Sequence, residues 1–240
     1  MNSSLSFSLV LGLAFLHAFA AKLPILDRLS PKIWVSGAGG AAISYVFLDV
    51  FPALSKIQER IEGTEFVLPF TKPIYVIALV GLIFFHGLDR FADRLAMPGQ
   101  KYNPYFFWIH IGSFTVNNIV LGYLLQDSSR HTNFLECLVL FIAIGLHFLV
   151  IDRNLRLHHS FNYDRIGRWM LVGGIMAGAT IRLSSEVNEL LVLIMWSLMS
   201  GSVILNVLRE EITNEKNSSF IVFAISAIGY GLLLIYGLPE

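Results

Sequence analysis

The chain has 240 residues, of which 55% are hydrophobic and only 14% are charged, and its mean hydropathy is +0.66. This composition excludes an ordinary soluble domain. The 17 basic and 17 acidic residues balance, and the basic ones sit in short loops, so we expect no nucleic-acid partner. With one cysteine, Cys137, no disulfide can form within the chain and no cysteine-based metal framework exists.

Eight apolar stretches follow one another along the chain, each close to the roughly 17–25 residues that a bilayer-spanning helix needs. The third begins near Val67 and is interrupted by Pro69 and Pro73, and the sixth is rich in small residues that favour close helix packing. We therefore predict an all-α integral membrane protein, one polytopic domain over residues 1–240, in contact with the lipid bilayer. Small-residue faces on the second and sixth spans are compatible with a homodimer. The predicted spans are 5–21, 33–54, 67–88, 106–125, 134–152, 168–183, 190–208 and 220–237.

The loops between these spans differ in charge. The odd-numbered loops hold 12 of the 17 basic residues, so the positive-inside rule places them in the cytoplasm and both termini on the non-cytoplasmic side. The first stretch could instead be a signal peptide, with Ala18-Phe19-Ala20 as its cleavage site. Because cleavage would invert the charge distribution, and no basic region precedes the stretch, we interpret it as a retained first helix.

Polar side chains interrupt the fourth and fifth spans. His110 and Asn117 are seven residues apart and share one helix face, and Asn118 follows directly. The fifth span adds His147 and Asp152. Each group taken alone is explained by a hydrogen bond between helices, which is common in membranes. Because so many polar groups on adjacent spans are costly in hydrocarbon, we predict that together they line a polar pathway.

Four of the predicted spans carry short motifs of polar, small or acidic residues. The second span, GGAAISYVFLDVFPALSKIQE, places the acid Asp49 three residues before Pro52. The fourth reads Asn-Asn-Ile-Val-Leu-Gly at 117–122, the fifth carries His147, and the seventh, SGSVILNVLREEI, ends in two glutamates. In this order the motifs resemble the ZIP (Zrt/Irt-like) family of divalent-metal transporters. The resemblance implies transport of a cation of the zinc, iron or manganese class.

The chain departs from the family pattern at the ligand positions. Where the family has His-Asn-x-x-Asp-Gly in the fourth span, this chain has Asn117 for the histidine and Leu121 for the aspartate. In the fifth span it keeps His147 but has Ile151 at the acid position, with Asp152 one residue further and turned by about 100°.

The resemblance implies that Asn118, His147 and Asn117 bind the metal. Amide oxygens are weaker zinc ligands than imidazole or carboxylate groups. We therefore expect weaker binding or a different ion, or a protein that has given up transport.

The relative depth of the fourth and fifth spans has two solutions. If the fifth helix ends near Asp152, His147 lies level with His110. If the helix extends toward Leu157, His147 lies beside Asn118, as the resemblance implies. The sequence leaves both registers open.

Other polar residues lie nearer the ends of the spans. Asp49, near the outer end of the second span, is either a recruitment ligand for a cation or a solvated boundary residue. We interpret His17 and His86, near the inner ends of their spans, as interfacial. The adjacent His158 and His159 in the fifth loop suggest a metal-sensing or regulatory role, but we prefer a positively charged loop that faces anionic lipid.

Three classes of function follow. In the first, the protein transports a divalent cation, which is then the substrate, and we infer no organic cofactor. In the second, it binds haem between His110 and His147. In the third, it is a ZIP-like protein without a metal site that acts as a structural or regulatory subunit. No nucleophile–base arrangement is apparent, so we predict no enzyme. The predicted transport pathway comprises Asn117, Asn118, His147, His110, Asp49 and Asp152.

Overall fold

The computed structural model describes residues 2–19, 30–62, 71–94, 104–126, 134–185, 187–213 and 219–237, and within these ranges the chain forms helices and no strand. The expectation of an all-α fold is confirmed for these residues. Two π-helical segments, Val46–Val50 and Tyr163–Gly167, join α2 to α3 and α6 to α7. The α-helices are α1 (Asn2–Phe19), α2 (Pro31–Tyr45), α3 (Phe51–Glu62), α4 (Pro73–Arg94), α5 (Pro104–Leu125), α6 (Phe134–Asn162), α7 (Arg168–Ser184), α8 (Glu189–Thr213) and α9 (Phe220–Gly237).

The eight predicted spans fall on the helical runs of the structure. The third run starts at Pro73, a residue suited to the first helical turn because its missing N–H would have no partner there. Residues 67–70 of that span and 20–21 of the first lie outside the described residues. The helix at the fifth predicted span is longer than that span: α6 continues past Asp152 and departs from helical geometry at His159 (φ −142°, ψ 49°). The longer of the two registers is therefore the one found.

The helices gather into two compact units, each built from separate stretches of the chain. The first unit comprises Met1–Ser30, Leu88–Glu186 and Gly237–Glu240, and it contains α1, α5, α6 and α7. The second comprises Pro31–Gly87 and Val187–Tyr236, and it contains α2, α3, α8 and most of α4 and α9. A single polytopic domain stays a prediction.

In the first unit, α5 and α7 cross with their backbones in contact because glycines stand at the crossing. A Cβ atom at Gly122 would overlap the carbonyl oxygen of Ile175, and one at Gly178 would overlap the carbonyl oxygen of Ile119. Gly174 lies against the same stretch of α5. The prediction that small residues of the sixth span admit a close neighbour is confirmed.

The remaining contacts of the first unit bring α1 against α6. A Cβ at Gly12 would lie 2.9 Å from the ring of Phe141, and one at Gly145 would lie 2.8 Å from the side chain of Leu16. These side chains therefore fill the space that the two glycines leave. A buried apolar cluster completes the packing and consists of Phe107, Ile111, Ile151, Leu155, Tyr163 and Leu171.

In the second unit, glycines also allow the backbones of two helices to come into contact, at two crossings. A Cβ at Gly81 would overlap the backbone of α8, and one at Gly201 would overlap the backbone of α4. Gly40 of α2 meets the backbone of α9 in the same way. The apolar core of this unit consists of Val46, Val50, Leu54, Ile61, Ile74, Ala78, Ile204 and Val207.

The start of α4 is capped by a side chain from another helix. The Oε1 atom of Gln58, buried on α3, accepts a hydrogen bond from the Ile74 N–H at 3.0 Å. Because the first N–H groups of a helix have no partner within it, we expect Gln58→Leu to lower the free energy of unfolding by about 1–3 kcal/mol. Thermal unfolding of the purified protein measures this loss. Glu59→Leu, exposed on the same helix, is the control, and an equal loss in both variants would argue against the cap.

Two described helical stretches are long and apolar enough to cross a membrane, Lys32–Glu62 and Glu189–Leu208, and both belong to the second unit. Shorter apolar stretches occur at Ser4–Phe19, Pro73–Leu88 and Phe220–Tyr236. The length and composition of these helices are compatible with membrane association. Large apolar side chains remain exposed on helices of both units, among them Phe15, Phe19, Ile83, Phe84, Phe220, Ile221, Ile225 and Ile228.

Candidate functional site

Polar side chains from several helices meet inside the first unit. They are His17 in the last turn of α1, Asn118 on α5, His147 and Asp152 on α6, and Tyr163 in the π-helical segment that follows. We refer to these five residues as the polar cluster. Because burying a polar group costs free energy unless it is hydrogen bonded, the contacts among these groups determine what the cluster can do.

The imidazole of His17 lies against the carboxylate of Asp152. Its Nδ1 atom is 3.1 Å from Oδ1 and 3.0 Å from Oδ2, and the two side chains are 2% and 0% exposed. The ring of Phe148 stacks on the imidazole with 3.9 Å between centroids. The hydroxyl of Tyr163 lies within hydrogen-bonding reach of the same carboxylate. Hydrogen-bond donors therefore surround Asp152 although water does not reach it.

Asn118 determines the hydrogen-bonding role of Nε2 of His17. The Nδ2 atom of Asn118 is 3.3 Å from the carbonyl oxygen of Leu171, which can only accept, so this atom is the donating amide nitrogen. The same nitrogen is 2.9 Å from Nε2 of His17, which must therefore accept, and this leaves the ring proton on Nδ1. In this arrangement His17 donates a hydrogen bond to Asp152 from Nδ1 and accepts one from Asn118 at Nε2.

His147 stands beside this network. It lies close enough to His17 for the two rings to interact electrostatically. Its Nε2 atom is buried and has no hydrogen-bond partner within the described part of the chain. Buried polar atoms without a partner are uncommon in folded proteins. His147 is therefore the member of the polar cluster that is available to a ligand.

The structure brings together three of the six predicted pathway residues, Asn118, His147 and Asp152. Asn117 is half-buried on α5 and takes no part in the hydrogen bonds of the polar cluster. The ring of His110 lies beside that of Phe114, one turn further along α5, with 6.1 Å between centroids.

The other predicted residues lie elsewhere. Asp49 belongs to the second unit, where it lies in the π-helical segment and within hydrogen-bonding reach of Tyr45. His159 is half-buried at the bend of α6, with its ring centroid 5.2 Å from that of Phe107. The side chain of His158 lies outside the described residues.

The interpretation of His17 as an interfacial residue is wrong, because its side chain is buried and hydrogen bonded at both ring nitrogens. Val10, Leu13, Ala14 and His17 fall at i, i+3, i+4 and i+7, and all four are buried. His17 thus continues an apolar stripe of α1, and that pattern was the signal that could have identified it. Tyr163, in what was predicted as a loop, carried no comparable signal.

Among the residues that the structure describes, no group of three or more His, Cys, Asp or Glu side chains is arranged to hold a metal ion. A scan against protein-family models matches no family, and a search of curated proteins finds no match to this chain.

Proposed function

We propose that this chain is an integral membrane protein that transports a divalent metal cation, of the zinc, iron or manganese class, through the polar cluster of its first unit. Eight spans and two external termini are part of this proposal. Exposed apolar side chains on α1, α4 and α9 support it, since water-soluble proteins seldom expose extended apolar patches. Lipid would cover those side chains at no cost.

The observation that carries the proposal is the hydrogen bond from His17 to Asp152 inside a bundle of apolar helices. Ionisable groups at such positions usually serve the passage of ions or protons. A histidine that binds a metal characteristically donates its other ring N–H to a carboxylate, which fixes the tautomer and the ring plane. His17 has this arrangement, with Nδ1 toward Asp152 and Nε2 pointing into the polar cluster.

The hydrogen bonds also indicate how a cation would be accepted. Asn118 now donates to Nε2 of His17 and so covers the lone pair that a metal would use. Turning the amide of Asn118 would present its Oδ1 atom to the polar cluster, free Nε2 of His17 and break the bond to the Leu171 carbonyl. His17 and His147 would then each offer an imidazole nitrogen, and Asn118 an amide oxygen. Imidazole ligands favour zinc and iron over magnesium or calcium.

The carboxylate has a separate role in this proposal. Asp152 holds the His17 ring and offsets one positive charge of the cargo. The polar cluster thereby regains part of the negative charge that the chain lacks because Leu121 and Ile151 stand at acid positions. Asn117 and His110 stay predicted lining residues of the route along α5, and Asp49 stays a predicted recruitment residue.

Flux into proteoliposomes tests the proposal, with zinc, iron, manganese, cadmium and magnesium ions as cargo. We expect saturable uptake of a transition metal, and we expect the double variant Asn118→Ala, His147→Ala to reduce it by about tenfold or more. His86→Ala, at an exposed position of α4, is the control and should transport normally.

Uptake that is unchanged in the double variant would refute the assigned pathway. No uptake of any ion, in protein shown to be folded and inserted, would refute transport and leave a structural or regulatory role. A Soret absorbance in the purified protein would instead favour the haem alternative.

A further inference from the structure

The helical run through α2 and α3 is interrupted at Val46–Val50, where the Phe51 N–H bonds to the carbonyl of Val46 with π-helical spacing. Such π turns within long helices often occur at functional sites. Asp49 lies in this segment, half-buried, within the stretch that is long and apolar enough to cross a membrane. An ionisable side chain at such a position is a candidate ligand for an ion.

Two tyrosine hydroxyls accompany this carboxylate. The hydroxyl of Tyr45, one turn earlier, lies within hydrogen-bonding reach of Asp49. Tyr230 of α9 is close enough for the charge of Asp49 to act on its hydroxyl. Tyr230 is only 7% exposed, and its hydroxyl has no hydrogen-bond partner among the described residues. Because a buried tyrosine hydroxyl normally has a partner, this one points to a ligand that the described residues do not supply.

The helical run that carries Tyr45 and Asp49 is held against α9, which carries Tyr230, by contacts of neighbouring residues. The hydroxyl of Ser44 donates to the carbonyl of Ala227 at 2.7 Å. Gly231 allows the approach, since a Cβ there would lie 3.2 Å from the side chain of Leu48. The three oxygen donors are therefore held in place by packed helices, which is the condition for a preorganised site.

The chemistry of the donors defines the class of ligand. All three side chains offer oxygen and none offers imidazole or thiolate, which favours a hard cation over a transition metal. Asp49 contributes one negative charge, and the neighbouring cation that acts on it, Lys56, is exposed. One monovalent ion balances one carboxylate, whereas a divalent ion would leave a net positive charge in apolar surroundings. We propose that Asp49, Tyr45 and Tyr230 form a site for an alkali-metal cation, separate from the polar cluster.

Thermal unfolding of the full-length protein in detergent tests this proposal, with sodium chloride compared with choline chloride at equal ionic strength. We expect a saturable rise in Tm with sodium, because a ligand that binds only the folded state stabilises it. Asp49→Asn should abolish the rise. Tyr230→Phe should weaken sodium binding by about tenfold. In choline, however, Tyr230→Phe should leave Tm unchanged or higher, since the hydroxyl it removes has no hydrogen-bond partner in the part of the chain that the structure describes.

Tyr236→Phe is the matched control, because Tyr236 is 81% exposed on the same helix and should keep the full sodium effect. Equal Tm values in sodium and choline would overturn the proposal, as would a sodium effect that survives Asp49→Asn. A rise with millimolar magnesium and none with sodium would overturn the monovalent assignment. If Asp49→Asn does not fold, the sodium affinity of Tyr230→Phe is the test, and an affinity equal to that of the unsubstituted protein would overturn the proposal. The sodium effect and metal flux through the polar cluster are separate measurements, so either proposal can fail while the other stands.

Discussion

Replacing His17 by alanine is expected to lower the free energy of unfolding by about 3 kcal/mol, because it leaves a buried carboxylate without the N–H group that donates to it. His17 donates to both oxygens of Asp152, and the carboxylate is too deeply buried for water to replace the lost donor. Loss of the ring that stacks on Phe148 adds a cavity, which destabilises further. The midpoint of thermal unfolding of the purified protein in detergent measures the effect.

Asp152→Asn is the matched counterpart of His17→Ala. The amide oxygen of the new side chain still accepts from Nδ1 of His17, and no buried charge is left behind, so we expect a much smaller loss. Replacing His17 and Asp152 together by leucine should recover much of the stability, since both partners of the bond are then gone. An additive loss in the double variant, or equal losses in Asp152→Asn and His17→Ala, would show that the imidazole–carboxylate bond is not the source of the stability.

The positions of the helices along the sequence were predictable because a long apolar run leaves the backbone few conformations other than a helix. The sixth span, predicted over 168–183, is α7 at Arg168–Ser184, and the fourth, predicted over 106–125, is α5 at Pro104–Leu125. The end of α6 was not predictable from hydropathy. Beyond Asp152 the helix continues through polar sequence, in which Leu155 is buried while Arg153 and Arg156 are half-buried, and amphipathic packing rather than apolar length sustains it.

The candidate site was predictable only where a polar residue interrupts an otherwise apolar helix. Asn118 and His147 did so, and the structure places both in the polar cluster. The pairing of His17 with Asp152 joins residues 135 positions apart, and no local pattern encodes it. The role of Asn118 as a donor to His17 depends on the carbonyl of Leu171, whose position follows from the crossing of α5 and α7.

The crossing of α5 and α7 is the source of the other large expected effect on the free energy of unfolding. We expect Gly178→Ala to lower the free energy of unfolding by about 2–3 kcal/mol, since the new Cβ would overlap the Ile119 carbonyl oxygen and lie 2.8 Å from the Tyr123 nitrogen. Both are backbone atoms, which cannot rotate away as a side chain can. Gly173→Ala on the same helix is the control. Nothing lies within 4 Å of a Cβ there, so alanine should be neutral or stabilise by up to about 1 kcal/mol.

Gly122→Ala extends the argument, because its Cβ would overlap the Ile175 carbonyl oxygen at the same crossing. Once one substitution has moved α5 away from α7, the second finds more room, so the double variant should lose less stability than the sum of the single losses. Additive losses would mean that each clash is relieved locally. The same displacement draws the Leu171 carbonyl away from Asn118 and loosens the amide that faces His17. In the proposed transport, Gly178→Ala should therefore impair metal uptake even at temperatures where the variant remains folded, whereas Gly173→Ala should not.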